Sequence, residues 1–338
     1  MGLRELLAAR AVRVAHVLVV EVPGAARTRI AAENEINRRG WQLATSPADA
    51  DLLLTCGAPG TQLESVLTRV WDQMPGPRAR VTALSSDEVA GAIDSAKSEL
   101  LDDRTQRGDA GERSTEAPDL DDTHGEMDMA PGGIALADDG ADTDGLHLDV
   151  LHIPLGPVMP HWPAGLVLDC TVQGDLIMGA QSRWIDTDRL ATDTDDADPR
   201  WFAALRCDAV ARLLGVAGWD AAADKARRIR DGVVDGDAAD LCTERMQRLA
   251  TRVSRNRILR WSLRGITVPG DDGAAVEVHD LPAHWLASAA AALGGAATET
   301  TASFDAEELG SLVTCLDLAT ARTVVAALAP RLSVMSDA

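Results

Sequence analysis

The side chains best suited to redox or metal chemistry in this chain are its five cysteines, and their spacing is unfavourable for both. They are Cys56, Cys170, Cys207, Cys242 and Cys315. A four-iron cluster needs about four converging thiolates, and structural zinc sites use closely spaced cysteine pairs. No two of these cysteines lie within thirty residues of each other. The pattern predicts buried free thiols in a reducing compartment, and no metal site.

The histidines give one weak candidate for catalysis. The seven are His16, His124, His147, His152, His161, His279 and His284. None forms an HxH, HExxH or i, i+4 pair, and the glycines form neither a dinucleotide fingerprint nor a P-loop. His161 lies beside Trp162 between two prolines, so it could act in a pocket, although a rigid proline-bound loop is the favoured interpretation. We therefore expect no bound cofactor.

Composition limits the class of protein. The formal charge is −21, which argues against nucleic-acid binding and against adhesion to anionic lipid. A chain of 338 residues exceeds the usual single domain, so two domains are expected. No apolar run reaches the length of a membrane span and the N-terminus lacks a signal-peptide pattern, so the sequence predicts a soluble, cytoplasmic protein.

The N-terminal part predicts an α/β domain over residues 1–98. Val14–Val20 and Leu52–Thr55 are apolar runs of strand length, and Val81–Leu84 supplies a further strand. Apolar residues at helical spacing precede Pro75 and Pro77, which end that helix. The order strand, helix, strand is typical of a parallel βαβ unit.

The same region carries a family resemblance. The segments "ADADLLLTCG" and "VWDQMPGPRARV" resemble the small electron-transfer subunit of respiratory complex I (NADH-quinone oxidoreductase) and the small subunits of nickel–iron hydrogenases. The resemblance covers roughly residues 14–84 and implies a flavodoxin-like α/β domain. In those relatives the loop after the first strand carries a cysteine pair that binds an iron–sulfur cluster. Here that loop, Glu21–Arg27, contains no cysteine, so the resemblance implies a domain that has lost its cluster.

An acidic segment follows. Residues 102–149 contain fifteen acidic and three basic residues, and so carry −12 of the total charge. Such a composition has little to bury and cannot offset its own ordering entropy. We expect residues 99–146 to form an acidic disordered linker that either stays solvated or binds a cation or a basic partner.

A second domain is expected over residues 147–338. Residues 147–185 predict a β-hairpin region that turns at Gln173-Gly174, and residues 199–335 predict helices, with Pro199 opening the first and Ala238–Leu263 forming one long helix. The fold class is therefore an α/β N-terminal domain and an α+β C-terminal domain.

The hairpin region carries a second resemblance. The segment "PLGPVMPHWPAGLVLDCTVQGDLI" resembles the large subunits of membrane-bound, complex I-like hydrogenases and their counterpart in complex I itself. Gly156, Pro157 and Pro160 fit their Gly-Pro-x-His-Pro pattern, but the family histidine falls on Met159. His161 is a substitute two residues later. In quinone-reducing relatives that histidine lies beside the quinone headgroup.

Together the two resemblances imply a fusion of a small-subunit-like and a large-subunit-like domain, both without redox ligands. The function expected first is a non-catalytic accessory, assembly or structural subunit of a complex I-like electron-transfer complex. The alternative is a quinone-linked oxidoreductase component with a site between the domains and clusters supplied by partner chains. The expected partners are subunits of a membrane-associated assembly, with no nucleic acid and no direct membrane insertion. The chain could then be peripheral on the inner face of the membrane through those subunits.

The resemblance also implies where the two domains meet. In the relatives, the loop after the first strand of the small subunit faces the hairpin side of the large one. The corresponding interface candidates are Pro23, Gly24, Gly156, Pro157, Met159, Pro160, His161 and Trp162. Bulky Trp162 and Met159 are expected to fill the space of the lost cluster, because an empty cavity would be unfavourable.

Overall fold

A computed structural model describes residues 14–116, 138–141, 147–186, 198–298 and 303–333 of the chain. The chain forms two compact units. The first comprises Met1–Leu136 and Ile185–Ala191, and the second comprises Ala137–Trp184 and Thr192–Ala338. Within the described ranges, no helix combines the length and the apolar character needed to cross a lipid bilayer.

The first unit is an α/β structure, as the sequence predicts. Its elements are β1 (His16–Glu21), α1 (Ala26–Arg38), β2 (Gln42–Leu43), β3 (Leu52–Cys56), α2 (Thr61–Gln73), β4 (Ala79–Ala83), α3 (Val89–Leu101) and α4 (Asp103–Glu116). The four strands pair in parallel in the order β2-β1-β3-β4. Strand β3 lies inside the sheet and all five of its residues are buried, which explains its unbroken apolar run.

The core of this unit lies between the sheet and its helices. Leu52 and Leu54 of β3 pack in one cluster with Ile36 of α1 and Ile93 of α3. Leu53 faces the opposite side because side chains alternate along a strand. Helix α2 is amphipathic and buries Leu63 and Leu67.

A distant residue binds the start of helix α2. The carboxylate of Asp186 accepts hydrogen bonds from the backbone N–H groups of Gln62 (3.3 Å) and Leu63 (2.8 Å). These groups have no intrahelical acceptor, and a negative charge is favourable at a helix N-terminus. Gly60, which precedes the helix, has no side chain to do this, and a Cβ there would overlap with Asp186.

The prediction of disorder over residues 99–146 is wrong for its first part, residues 99–116, which is mostly helical. Residues 99–101 belong to α3, and Asp103–Glu116 form α4. Helix α4 is polar, but two of its side chains bind the segment before β4: Gln106 exchanges two hydrogen bonds with the backbone of Arg78 (2.9 and 3.0 Å), and Asp109 accepts from the Arg78 guanidinium (2.8 Å). Residues 117–137 and 142–146 of the predicted linker lie outside the described residues, and 138–141 form a strand.

The second unit begins with an antiparallel sheet that contains the predicted hairpin. Its strands are β5 (Asp138–Ala141), β6 (His147–Leu155), β7 (Leu166–Gln173) and β8 (Leu176–Trp184), in the order β5-β6-β7-β8. Gly174 occupies the hairpin turn with a φ of 61°, in the left-handed region that favours glycine. The strand after this turn is expected from the sequence over Asp175–Met178, whereas β8 extends to Trp184.

Helices follow, with more breaks than the sequence predicts. They are α5 (Pro199–Val216), α6 (Asp220–Val234), α7 (Ala239–Ser254), α8 (Arg257–Ser262), α9 (Leu281–Leu293), α10 (Ala306–Val313) and α11 (Leu318–Leu328). Short strands β9 (Thr267–Pro269) and β10 (Ala275–Glu277) form a hairpin, and β11 (Phe304–Asp305) pairs with β12 (Leu332–Ser333).

The single long helix expected over Ala238–Leu263 is wrong. Asn256 lies between α7 and α8, and its side chain accepts hydrogen bonds from the N–H groups of Ile258 (2.9 Å) and Leu259 (3.1 Å). This N-cap starts a new helix. Asp317 does the same at the start of α11 through the N–H groups of Ala319 and Thr320.

The pair formed by Asp109 and Arg78 generates a pH-dependent prediction. Burial acts to raise the pKa of Asp109, but hydrogen bonds and charges from Arg78 and Arg113 outweigh it, and the pKa lies below its ordinary value. A lowered folded-state pKa stabilises the fold above the unfolded value of about 3.9. That contribution is lost as the pH falls through the folded value.

We expect Asp109→Asn to lower the free energy of unfolding by about 2 kcal/mol at pH 7. The difference from the wild type is expected to shrink below about pH 4. Urea unfolding at several pH values measures both. Asp103→Asn is the matched control on the same helix, because its pair with Arg107 is exposed and is expected to contribute about 0.5 kcal/mol or less. Equal losses in the two variants would contradict a special role for Asp109.

Candidate functional site

The loop after β1 closes onto the loop after β3. The backbone N–H of Val22 donates to the carbonyl of Cys56 (2.9 Å), and that of Ala25 donates to the carbonyl of Val22 (2.9 Å). Gly57 has a φ of 97°, and a Cβ there would lie 2.8 Å from Cβ of Ala25 and 2.9 Å from Cβ of Val22. Pro23 is buried and Gly24 half-buried. Val22, Ala25 and Gly57 therefore pack directly against one another at the carboxyl ends of β1 and β3.

Ionisable groups beside this loop are already paired. The Arg29 guanidinium is buried and contacts the carboxylates of Glu21 and Glu33, each at 2.6 Å. Burial strongly raises the pKa of the Cys56 thiol, and the negative charge of Glu21 adds to the effect. Only a thiolate is a good nucleophile or metal ligand, so burial of Cys56 disfavours both roles.

The segment "DQMPGPR" forms a structural anchor around Arg78. The Arg78 guanidinium lies 4.0 Å from the centroid of the Trp71 ring and donates to the carbonyls of Trp71 and Met74. Arg78 is only 5% exposed, and its charge is balanced by Asp109. The most specific part of the resemblance thus binds helix α4 in this protein.

The cysteines are free, as predicted, but one of them is not buried. Cys56, Cys170, Cys207 and Cys242 are buried and Cys315 is exposed, with a φ of 67°. Burial raises the pKa of Cys170 to about 11, and Asp169 adds to the shift. Among the residues whose positions are described, no group of three or more His, Cys, Asp or Glu side chains is arranged to hold a metal ion.

In the second unit, the loop between β6 and β7 folds around Trp162. The indole N–H of Trp162 donates to the carbonyl of Leu166 (2.8 Å), and a Cβ on Gly156 would overlap with the indole ring. Gly156 has a φ of 87°, and its N–H donates to the sulfur of Met159 (3.0 Å). Trp162 is buried, whereas Gly156, Pro157, Met159 and Pro160 are half-buried.

Helix α5 of the same unit holds this loop. Arg212 donates to the carbonyl of Trp162 (2.9 Å). The His161 ring covers Gly215, where a Cβ would lie 2.6 Å from its Cε1 atom. His161 is half-buried and has a φ of 64°, which is unusual for a residue with a side chain. These contacts support a packing role for His161.

Behind the loop lies a buried ionic network that sequence spacing alone does not identify. Asp208 bridges Arg212 (3.0 Å) and Arg230 (2.6 Å), and Arg230 also contacts Asp231 (2.8 Å). Arg230 is among the largest fully buried side chains. Its partners belong to α5 and α6, so the network joins these helices and, through Arg212, the loop of Trp162.

Comparison of the chain with protein-family models, curated proteins and solved structures finds no match. The resemblance to complex I and hydrogenase subunits therefore depends on the sequence motifs quoted above. The interface expected between Pro23-Gly24 and Gly156–Trp162 stays a prediction.

The burial of Trp162 predicts a large loss of stability on truncation. Trp162 is 6% exposed, and Trp162→Ala is expected to lower the free energy of unfolding by about 3–5 kcal/mol, because it removes a large packed side chain and its hydrogen bond. Trp261→Ala is the control, since Trp261 is 77% exposed and a change of about 0.5 kcal/mol or less is expected. Urea unfolding measures both. A loss of under about 1 kcal/mol for Trp162→Ala would show that the loop is not packed in solution.

Because the His161 ring contacts Gly215, we expect Gly215→Ala to destabilise the fold, the opposite of the usual effect of Gly→Ala in a helix. Gly→Ala inside a helix ordinarily stabilises by about 0.5–1 kcal/mol. Gly215→Ala is expected to destabilise, because its methyl group would overlap with the His161 ring. In a His161→Ala background the same substitution is expected to stabilise. A double-mutant cycle of unfolding free energies measures this, and additive effects would mean that the ring does not cover Gly215.

Proposed function

We propose that this protein is a non-catalytic accessory, assembly or structural subunit of a complex I-like or hydrogenase-like electron-transfer complex. The parallel strand order β2-β1-β3-β4 supports the proposal, because it agrees with the first four strands of the flavodoxin-like order. The "DQMPGPR" segment and the Gly-Pro loop before β7 are the sequence motifs that support it.

The observation that carries the proposal is the packing of the loops at the carboxyl ends of β1 and β3. In open α/β sheets, ligands bind outside the carboxyl ends of strands where the strand order reverses. That point lies here between β1 and β3, whose following loops contain Val22, Ala25 and Gly57. These residues pack against one another so closely that a side chain at Gly57 would overlap with Val22 and Ala25. Since the resemblance implies a cluster beside this loop, the close packing of these residues and the lack of cysteine in residues 21–27 favour a subunit retained for its shape and its contacts.

Iron analysis tests the loss of the cluster. The chain is purified without oxygen, incubated with ferrous iron and sulfide, and assayed for iron and by electron paramagnetic resonance. We expect no stoichiometric iron, because the thiols are scattered and four of them are buried. A cluster signal near one per chain would overturn the proposal.

Removal of the gene from its own host tests the accessory role. We expect the amount of assembled complex to fall, while the quinone-reductase activity per assembled complex stays unchanged. An assembled but inactive complex would instead support the quinone-linked oxidoreductase component. Normal assembly and activity would contradict both functions. The matched comparison is the deletion strain complemented with the His161→Ala variant. Only the enzymatic alternative requires that imidazole for turnover, so only that alternative predicts a loss of activity per assembled complex.

A further inference from the structure

Helix α8 of the second unit presents two large apolar side chains to solvent. Ile258 and Trp261 are each 77% exposed, more than any other large apolar side chain in the described part of the chain. They are three residues apart on the helix, so they lie next to each other on its surface. Leu259 of the same helix and Leu263 just after it are buried. The helix thus packs on the unit through its leucines and leaves the other two side chains uncovered.

Arginines flank this pair along the chain. Residues 245–270 contain seven arginines and no acidic residue, so this stretch carries +7 in a chain whose net charge is −21. Four of the seven lie on α8 or within two residues of it, and all four are exposed. None of these four forms an ion pair with a carboxylate of the described residues. The α8 patch is defined here as Arg255, Arg257, Ile258, Arg260, Trp261 and Arg264.

The arginines of the preceding helix, α7, are satisfied within their own unit. Arg245 pairs with Asp237 (2.9 Å), and Arg248 pairs with Glu244. The guanidinium of Arg252 lies 5.7 Å from the centroid of the Trp219 ring. The α8 patch therefore differs from the rest of the basic stretch, because its positive charges and its apolar side chains both face solvent.

A protein surface suits the α8 patch better than a bilayer or a nucleic acid does. Helix α8 has six residues, whereas helices that bind in a lipid interface bury a long apolar face. A bilayer or a nucleic acid is also an extended polyanion, so beyond the patch it would meet a chain of strongly negative charge. A protein can present carboxylates over the area of the patch alone. Trp and Arg are residue types that commonly dominate binding at protein interfaces.

We propose that the α8 patch binds a protein partner whose contact surface has carboxylates around an apolar pocket for Trp261. Charged hydrogen bonds to carboxylates and burial of the exposed apolar pair would both favour this association. The proposal rests on the accessory function proposed above, because it names the surface through which the chain joins its assembly. The adjacent exposed apolar side chains and the four arginines around them together carry it.

Association in the protein's own host tests the α8 patch. The deletion strain is complemented with the tagged full chain, and the share of the chain that co-elutes with the assembled complex is measured by size-exclusion chromatography and immunoblotting. We expect Trp261→Ala and Arg257→Glu each to lower this share at least about tenfold, because truncation of a central interface residue weakens binding by that factor or more. Both positions are exposed, so the fold is expected to be retained.

Two matched controls lie in the first unit. Leu84→Ala removes an apolar side chain that is 59% exposed, and Arg104→Glu reverses the charge of an exposed arginine. Both are expected to co-elute as the wild type does. Co-elution that Trp261→Ala and Arg257→Glu retain, or that the controls lose equally, would overturn the role of the patch and leave the accessory function standing. A wild-type chain that never co-elutes with an assembly would overturn both.

The chemistry of the partner is tested by crosslinking and by two probes of other classes. With benzoylphenylalanine in place of Trp261, irradiation in the host is expected to link the chain to an acidic segment of a subunit of the assembly. A crosslinked peptide without Asp or Glu would contradict the proposal. The purified full chain is also mixed with phosphatidylglycerol vesicles and with a single-stranded RNA, and no binding is expected. Binding to either probe that Trp261→Ala abolishes would assign the patch to that class of ligand instead.

Discussion

The attachment of helix α4 to the first unit depends on one buried guanidinium, that of Arg78. An unpaired buried charge costs several kcal/mol, so its partners must be present when the chain folds. Trp71 and Met74 supply carbonyls and a ring face from the end of α2, and Asp109 supplies the opposite charge from α4. This requirement explains why α4 packs although its composition offers almost no apolar surface. A polar network does here what hydrophobic burial does for the other helices.

The sequence predicts best the elements that are fully buried or that are determined by a few neighbouring residues. Strand β3 and the hairpin at Gly174 are of this kind, since a buried apolar run and a glycine turn identify them directly. Helix α4 is different, because composition predicts disorder and only its long-range contacts with Arg78 outweigh that tendency. The break at Asn256 was also missed, since apolar residues continue at helical spacing through it and only the cap geometry ends the helix.

The candidate site shows the same division. The sequence singles out His161 and Trp162 by their position between prolines. It does not indicate that the His161 ring packs on Gly215 or that Arg212 donates to the carbonyl of Trp162. A pocket in the second unit, lined in part by Arg206, Trp285 and Leu328, is harder to predict from the sequence. Arg206, Trp285 and Leu328 are separated by tens of residues and form no motif, so only the packing of three helices and a hairpin brings them together. The sequence patterns that predict strands and helices involve neighbouring residues, whereas a pocket is lined by residues that are far apart in the sequence.

The cap that Asp186 provides has a consequence for how this chain could be divided. Ile185 and Asp186 follow β8 in sequence but belong to the first unit, where Asp186 binds the start of α2. The chain therefore leaves the first unit, builds an antiparallel sheet and returns before it completes the second. A gene shortened after α4 would encode a first unit without this acceptor, and splitting the chain into two contiguous genes would place the cap on the wrong product. The first unit is thus completed by a residue that lies after β8 in the sequence.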